Sequence, residues 1–326
     1  MNFHQLQYAL AVARNGLSVT NAAAALGTSQ PAISRALKEL EKELGFDLFV
    51  REGRSFARVT PEGAKVLEYA SRALAEIESL RSVAADLNQD ARGTLSIATT
   101  HTQARYVLPP VVQAFRKRYP EVDLHLHQGT SEQISEMVAG DRVHLAIATG
   151  SEALFPELVL LPCYRWHRQV IVPKTHPLAR PGAPKLTLGI LEKYPLVTYV
   201  FSFSGPSSLE TLFAREGLKP RVALTARDSD VIKTYVRLGM GVGIVASVAF
   251  EPDVDTDLVM VDASHLFPIH TTWIGFRRGT LLRNYAYDFM QLFGPHLTRR
   301  LIDHAVEARD PESKAELLGR LQLPIR

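Results

Sequence analysis

From Thr94 onward, short apolar runs of strand character alternate with stretches of helical periodicity for more than 200 residues. No other feature constrains the fold as strongly, because strands separated by helices build α/β sheets. Strands are expected at residues 95–99, 122–127, 145–149, 169–172, 196–200, 222–225, 242–246 and 271–276. Helices are expected at 103–119, 209–216 and 230–238. A span of this length, broken by several Pro and Gly positions, accommodates two α/β lobes with a cleft between them. The last segment, from Asp310-Pro311-Glu312 onward, reads as a solvated helical tail.

The first 59 residues follow a different pattern. A helix over 3–14 carries Leu6, Leu10 and Ala13 on one side and stops at Asn15-Gly16. A second begins near Ser18 or Val19 and ends at Gly27. The third opens on Thr28-Ser29-Gln30-Pro31, where a hydroxyl cap and an early proline suit a helix start. Its buried face is Ile33, Leu37, Leu40 and Leu44; its opposite face presents Gln30, Ser34, Arg35 and Lys38. Two short helices joined at a glycine turn form a helix-turn-helix. Gln and Arg can contact base edges in a major groove, while Ser and Lys suit phosphates. An ordinary solvated face would look the same in isolation, so the next segment matters. Phe46, Leu48 and Val50 alternate, Glu52-Gly53-Arg54 turns, and residues 56–59 return as a hairpin. Arg51, Arg54 and Arg58 on that hairpin read as a basic wing within reach of backbone phosphate or a minor groove.

Thr60-Pro61-Glu62 starts a long helix running to about Leu87. Leu67, Ala70, Leu74, Ile77, Leu80, Ala84 and Leu87 recur at spacings of three and four, as in a coiled-coil stripe. Pairing with a second chain and packing on its own domain both fit that stripe. Residues 88–93 are the expected hinge.

Composition first speaks against nucleic acid, since 37 basic against 34 acidic residues leave a net charge of only +3. The charge is placed rather than abundant: residues 1–60 hold seven Lys/Arg against five Asp/Glu, three of those arginines on the wing. The length of 326 residues suggests about two domains. No apolar window is long enough for a membrane span. The start, Met1-Asn2-Phe3-His4-Gln5, lacks the basic segment of a secretory leader, so a cytoplasmic protein is expected. One cysteine, Cys163, rules out a disulfide framework and follows an apolar run, as a buried small hydrophobe would.

In the second half, Thr100, Thr102 and Gln103 follow a strand and open a helix. Outward backbone N–H groups and the helix dipole favour an anion there. Hydroxyl and amide donors without a nearby lysine suit a small oxyanion or carboxylate that must be released again. Thr149 ends another expected strand, where ligands sit in α/β sheets. Other motifs carry no chemistry. His125 and His127 share a strand face but lack further ligands, so no metal is expected. Gly239-Met240-Gly241-Val242-Gly243 lies between a helix and a following strand, the reverse of a dinucleotide loop. No cofactor is expected. An α/β enzyme acting on an anionic metabolite is the alternative class, yet no convergent nucleophile, acid and base can be assembled. A transport-type binding protein fits two lobes but not the wing.

The run Ser29-Gln30-Pro31-Ala32-Ile33-Ser34-Arg35, with Leu40-Glu41, Leu44-Gly45, Leu48-Phe49, Arg51 and Thr60-Pro61-Glu62-Gly63, resembles the LysR-type transcriptional regulators. Residues 97–106, Leu161-Pro162-Cys163-Tyr164, residues 194–199, residues 230–239 and Gly275-Phe276-Arg277-Arg278 resemble the cysteine-regulon activators of that family and their sulfur-starvation paralogues. The resemblance implies a mainly-α winged helix-turn-helix domain at 1–59 and a linker helix at 60–92. An α/β effector domain of two Rossmann-like lobes, periplasmic-binding-protein-like, would fill 93–326. Lobe I would hold 93–164 and 268–326, lobe II 165–267. DNA contacts would fall to Ser29, Gln30, Pro31, Ser34, Arg35, Lys38, Arg51 and Arg54. Thr100, Thr102, Gln103, Thr149, Trp166 and Ser204 would line the effector cleft, Ser204 standing where the cysteine-regulon activator carries threonine. Implied partners are promoter DNA, RNA polymerase, further copies of the chain as a homodimer or homotetramer, and a small effector. That effector would be sulfate, O-acetylserine or N-acetylserine, thiosulfate, sulfide or adenosine phosphosulfate. The regulated genes would serve sulfate assimilation and cysteine synthesis, or alternative sulfur sources such as sulfonates and sulfate esters.

Overall fold

The computed structural model describes residues 1–53, 55–87, 92–150, 152, 155, 157–200, 209–308, 310 and 316–326. The chain divides into two compact units, Met1–Asp90 and Ala91–Arg326.

The first unit begins with α1 (Phe3–Arg14), α2 (Val19–Leu26) and α3 (Gln30–Leu44). Each starts on a side chain that satisfies a free backbone N–H: Asn2 in a capping box with Gln5, then Ser18 and Ser29. Gly27 ends α2 in the left-handed conformation at φ 61°. The hairpin β1 (Phe49–Glu52) and β2 (Ser55–Val59) follows, then α4 (Pro61–Leu87). Val12, Ala22, Ile33, Leu37, Leu40, Leu48 and Phe49 form the core. The alternation read from sequence put Val50 inward; the structure buries Leu48 and Phe49 together, and a register shift follows Val50 in the hairpin. The hydroxyl of Thr60 donates to the Asp47 carbonyl at 2.8 Å and receives the Gly63 N–H at 2.9 Å. A Cβ at Gly63 would stand 2.2 Å from the Leu48 carbonyl oxygen, so the helix can approach the hairpin only with glycine there.

The two readings of the α4 stripe apply to different parts of the helix. Leu67 and Ala70 are buried in the core of their own unit, with Leu74 packed against it. Leu80 is 70% exposed, and Ala84 is exposed as well.

The second unit holds two five-stranded sheets. Its elements begin with β3 (Gly93–Thr99), a single π-turn (Gln103–Val107), α5 (Leu108–Arg118), β4 (Val122–Gln128), α6 (Ser131–Ala139), β5 (Leu145–Thr149) and β6 (Leu158–Trp166). There follow β7 (Arg168–Pro173), α7 (Leu188–Leu191), β8 (Leu196–Tyr199), α8 (Leu209–Arg215), β9 (Val222–Ala226), α9 (Ser229–Arg237), β10 (Val242–Ala246) and β11 (Leu258–Val261). The chain returns through β12 (His270–Arg277), α10 (Asn284–Phe293) and α11 (Arg299–Glu307).

Lobe I has the strand order β4-β3-β5-β12-β6, lobe II the order β9-β8-β10-β7-β11. In each, the first three strands are parallel and the last two antiparallel to their neighbours. The lobes are therefore built alike, and the chain crosses between them twice. One crossing is the single residue His167 between β6 and β7; the other spans residues 262–269. Leu95, Ile97, Leu108, Phe115, Ile147, Leu161, Ile274 and Phe289 fill lobe I. Val170, Val172, Leu196, Phe213, Val242 and Ile244 fill lobe II.

Two expectations need correction. The helix expected over 103–119 opens as a π-turn, the Leu108 N–H reaching back to the Gln103 carbonyl. Pro109 and Pro110 supply no N–H to the preceding carbonyls, which favours the wider turn. The tail is not solvated throughout. Residues 311–315 lie outside the described part, but Leu317 and Leu318 pack on the lobe I core. Ile325 then bridges Arg165 of β6, with N–H···O distances of 2.8 and 2.9 Å on either side, and Arg326 lies 4.8 Å over the Tyr164 ring. The hinge expected at 88–93 falls mostly on residues outside the described part. Among the described residues no helix is long and apolar enough to cross a membrane.

Candidate functional site

In the first unit, α3 presents the polar face expected of it. Gln30, Pro31, Arg35 and Lys38 are exposed and Ser34 is half-buried, opposite the buried Ile33, Leu37 and Leu40. The Ser29 hydroxyl is spent on the helix cap, accepting from the Ala32 N–H at 3.4 Å. Arg35 is 84% exposed and its Nε lies 3.0 Å from Glu39, an exposed pair that a nucleic acid could displace cheaply. Arg51 is committed differently. Its Nη2 is 2.9 Å from Glu41, a carboxylate buried in the core, which also receives the Leu48 N–H at 2.9 Å. Arg51 thus fastens the wing to α3 while remaining 42% exposed. Arg58 is exposed; Arg54 lies outside the described residues.

In the second unit, the polar groups gather where the parallel strands end. β3 ends at Thr99, β5 at Thr149, β8 at Tyr199 and β10 at Ala246, the edge at which α/β sheets bind ligands. Thr272 of β12 is the hub. It receives N–H groups from Gln103 Nε2 (3.4 Å) and Trp166 Nε1 (3.2 Å), which occupies both acceptor positions of its hydroxyl. The same hydroxyl lies 3.1 Å from Thr149 Oγ1, which draws Thr149 into the network. The Tyr164 hydroxyl donates to Gln103 Oε1 and fixes the amide orientation. Burial pushes the Tyr164 phenol up to about 12, so it stays a neutral donor. The structure therefore brings Gln103, Thr149 and Trp166 into one network. Thr100 and Thr102 stand half-buried at its rim, and Ser204 lies outside the described residues.

The π-turn joins this cluster to lobe II. Thr102 reaches the phenol of Tyr199, which also pairs with Ser229 Oγ at 2.6 Å and receives the Ala246 N–H at 3.1 Å. The Tyr106 hydroxyl donates to Asp230 Oδ1 at 2.7 Å, and His101 Nε2 lies 2.9 Å from Asp230 Oδ2. Arg105 pairs with Glu251 at 3.3 Å, and the Lys233 ammonium sits 4.8 Å over the Tyr106 ring. Burial alone would raise the Asp230 carboxyl, but the His101 and Tyr106 hydrogen bonds and nearby Lys233 hold it below the ordinary range.

Sequence reasoning missed Thr272, Tyr199, Ser229 and Arg168. The threonine pair Thr271-Thr272 in an expected strand was the available signal for the first; the others lie on strands or caps that read as ordinary. Arg168, the first residue of β7, is only 5% exposed, and its Nε and Nη1 have no hydrogen-bond partner. Burial lowers its pKa. Beside it, His270 stacks on Trp166 with centroids 4.6 Å apart, and burial, then Arg168 and His167, push its pKa down to about 4. Its Nε2, the Nδ1 of His167 and the Oγ1 of Thr99 are also buried without partners.

Among the described residues the other candidates hold no comparable site. His101, Asp228 and Asp230 bring ligating atoms within 4.8 Å, but Asp230 already serves His101 and Tyr106 and Asp228 caps α9. His125 and His127 are exposed on β4. Cys163 is buried in lobe I, which pushes its thiol far up and leaves it inert. A Cβ at Gly241 would meet the Pro195 carbonyl oxygen at 2.2 Å, so that glycine run serves close packing. A groove of about 680 Å³ on lobe II, between α8 and β9, is lined by Glu210, Leu218, Lys219 and Val222 and shares none of the residues above.

Residues 3–64 match the bacterial regulatory helix-turn-helix protein, lysR family, and residues 88–298 match the LysR substrate binding domain. The chain is 48% identical over 323 residues to the HTH-type transcriptional regulator CysB of Haemophilus influenzae, covering 99% of each. It is 44% identical over 297 residues to the regulator SsuR of Burkholderia cenocepacia, covering 91% of this chain and 96% of that one. The crystal structure of the cofactor-binding domain of the Cbl transcriptional regulator superposes with a TM-score of 0.62 at 42% identity, over 67% of this chain and 95% of that one. A helix-turn-helix unit followed by two α/β lobes, matched at this identity over nearly its full length, makes the chain a member of the LysR family of transcriptional regulators rather than an enzyme.

Proposed function

We propose that the protein regulates genes of sulfate assimilation and cysteine synthesis in response to a small anionic effector bound in the cleft between its lobes. The observation that carries this reading is the network around Thr272, built from residues expected to line the cleft and joined through the π-turn to lobe II. The near-full-length likeness to CysB supports the sulfur assignment. The similar identities to SsuR and to Cbl of Escherichia coli favour a second reading, control of alternative sulfur sources such as sulfonates.

An effector seated against Thr102, Gln103 and Thr149 acts on the π-turn, the same segment whose Arg105 and Tyr106 hold lobe II. Binding thereby biases lobe geometry. Pairing through the exposed distal stripe of α4 forms a dimer that sets two α3 helices on half-sites one or more DNA turns apart. A dimer of dimers, contact with RNA polymerase and a cytoplasmic location complete the reading. Sulfate, O-acetylserine and N-acetylserine are the first effectors to test, followed by thiosulfate and adenosine phosphosulfate.

Two variants separate the functions. Arg35→Ala weakens promoter binding by about 1–3 kcal/mol while effector affinity stays normal; an unchanged gel shift contradicts the recognition face. Thr102→Ala blunts the effector response and keeps DNA binding. Normal sulfate and acetylserine affinity by calorimetry would refute the cleft.

A further inference from the structure

Arg168 stands out among the buried polar groups. A guanidinium does not give up its proton under ordinary conditions, so a buried arginine either finds an anion or remains an uncompensated charge. Here Nε and Nη1 have no acceptor, and Arg168 is in no ion pair among the described residues. Among the described residues, the titratable groups that act on it electrostatically are uncharged. His270 is neutral at pH 7, His167 presents a ring nitrogen without a partner, and Tyr199, whose phenol burial raises further, is neutral too.

Position adds to the case. Arg168 is the first residue after the one-residue crossover, so it belongs to lobe II yet borders lobe I. Electrostatic interaction couples it to His270, which stacks on Trp166 of the Thr272 network. It is likewise coupled to Tyr199, whose phenol Thr102 reaches. Arg168 also pairs across the sheet with Ala246, whose N–H donates to the Tyr199 hydroxyl, so it adjoins groups that border the cleft. The lobe I network is made of hydroxyls, amides and an indole, and it supplies direction but no charge.

We propose that Arg168 reads the charge of the effector: it pairs with a carboxylate or sulfur oxyanion, while the hydroxyl network of lobe I orients the rest of the ligand. This rests on the cleft being an effector site and names the group that makes it selective for anions. It also ties the ligand's charge to β7 at the crossing point, so binding couples the two lobes directly.

The test uses the full-length chain and its only tryptophans, Trp166 and Trp273, which both lie in the second unit and report its unfolding alone. Thermal unfolding is followed with no addition, with sulfate, with N-acetylserine, and with neutral N-acetylserinamide. The wild type is expected to be stabilised by at least one of the two anions and not by the amide. Arg168→Met in the ligand-free state is expected to unfold no lower than the wild type, because it removes an uncompensated charge. It should lose the anion-dependent shift, with affinity weakened at least tenfold in calorimetry. Arg168→Gln should lose the preference for anion over amide, and Arg168→Lys should keep part of it. An anion-dependent shift that survives in Arg168→Met would overturn this proposal alone. So would a lowered ligand-free midpoint or failure of that variant to fold, since each marks a structural role. No shift with either anion in the wild type would overturn the effector reading together with it.

Discussion

Thr272 shows how a site can hide at the level of single residues. Its threonine neighbours at 100, 102 and 149 were legible because they lie at or just beyond a strand end, whereas Thr272 sits inside β12 and reads as one more β-branched strand residue. Only tertiary pairing brings Gln103 and Trp166, remote in sequence, onto its hydroxyl. Thr272→Val leaves both N–H donors buried without an acceptor, at about 1–3 kcal/mol each. The expected outcome is a lower unfolding midpoint for the second unit and weaker effector binding, both read by tryptophan fluorescence. Histidine 270 makes a second prediction, with the sign set by its depressed pKa. The unfolded chain binds a proton near 6.5, but the folded protein resists it down to about 4, because burial and then Arg168 and His167 oppose the charged ring. Its contribution to stability is therefore complete above pH 6.5 and is lost as pH falls through 4. Asp255 extends the loss to more acid pH. Burial alone would raise its carboxyl, but the Glu251 N–H, Lys233 and Arg237 hold it below the ordinary range. Urea midpoints of the second unit should fall from pH 6.5 downward, and His270→Gln should flatten the branch between pH 6.5 and 4.

Among elements, strand and helix positions in the second unit followed the sequence where apolar residues alternate or end cleanly, as at β5 and β10. Strand β6, where no strand was expected, did not. Pro162 interrupts it opposite a register shift in β12, and every residue but Arg165 is buried, so neither period two nor a clean boundary was visible. The first turn of the 103–119 helix was read as α because periodicity does not register the missing N–H groups of Pro109 and Pro110. Helix α4 was legible in extent but divided in role. Leu67→Ala removes a core side chain and should destabilise the first unit by about 2–5 kcal/mol in circular dichroism melts. Leu80→Lys falls on the exposed distal stripe, so that unit should melt unchanged while the dimer dissociates in sedimentation experiments. A dimer that survives Leu80→Lys, or a first unit that melts lower, would contradict the division of the helix.

At the scale of the whole molecule, the two-lobe plan was readable from alternation, but the equivalence of the lobes was not, since it depends on strand order across sheets. Charge followed the same lesson. The near-neutral total concealed an exposed basic and amide face on α3, and it concealed a buried cation at the lobe crossing as well. We propose that these two places are coupled, an anion in the cleft changing how the helix-turn-helix units engage a promoter. Quantitative footprinting of a sulfur-assimilation promoter, with and without sulfate and acetylserine, tests that claim most directly. The predicted result is protection by the wild-type protein whose extent or boundaries change with an effector, and protection by Thr102→Ala that does not change. A wild-type footprint identical with and without every effector, or no footprint at all, would contradict it.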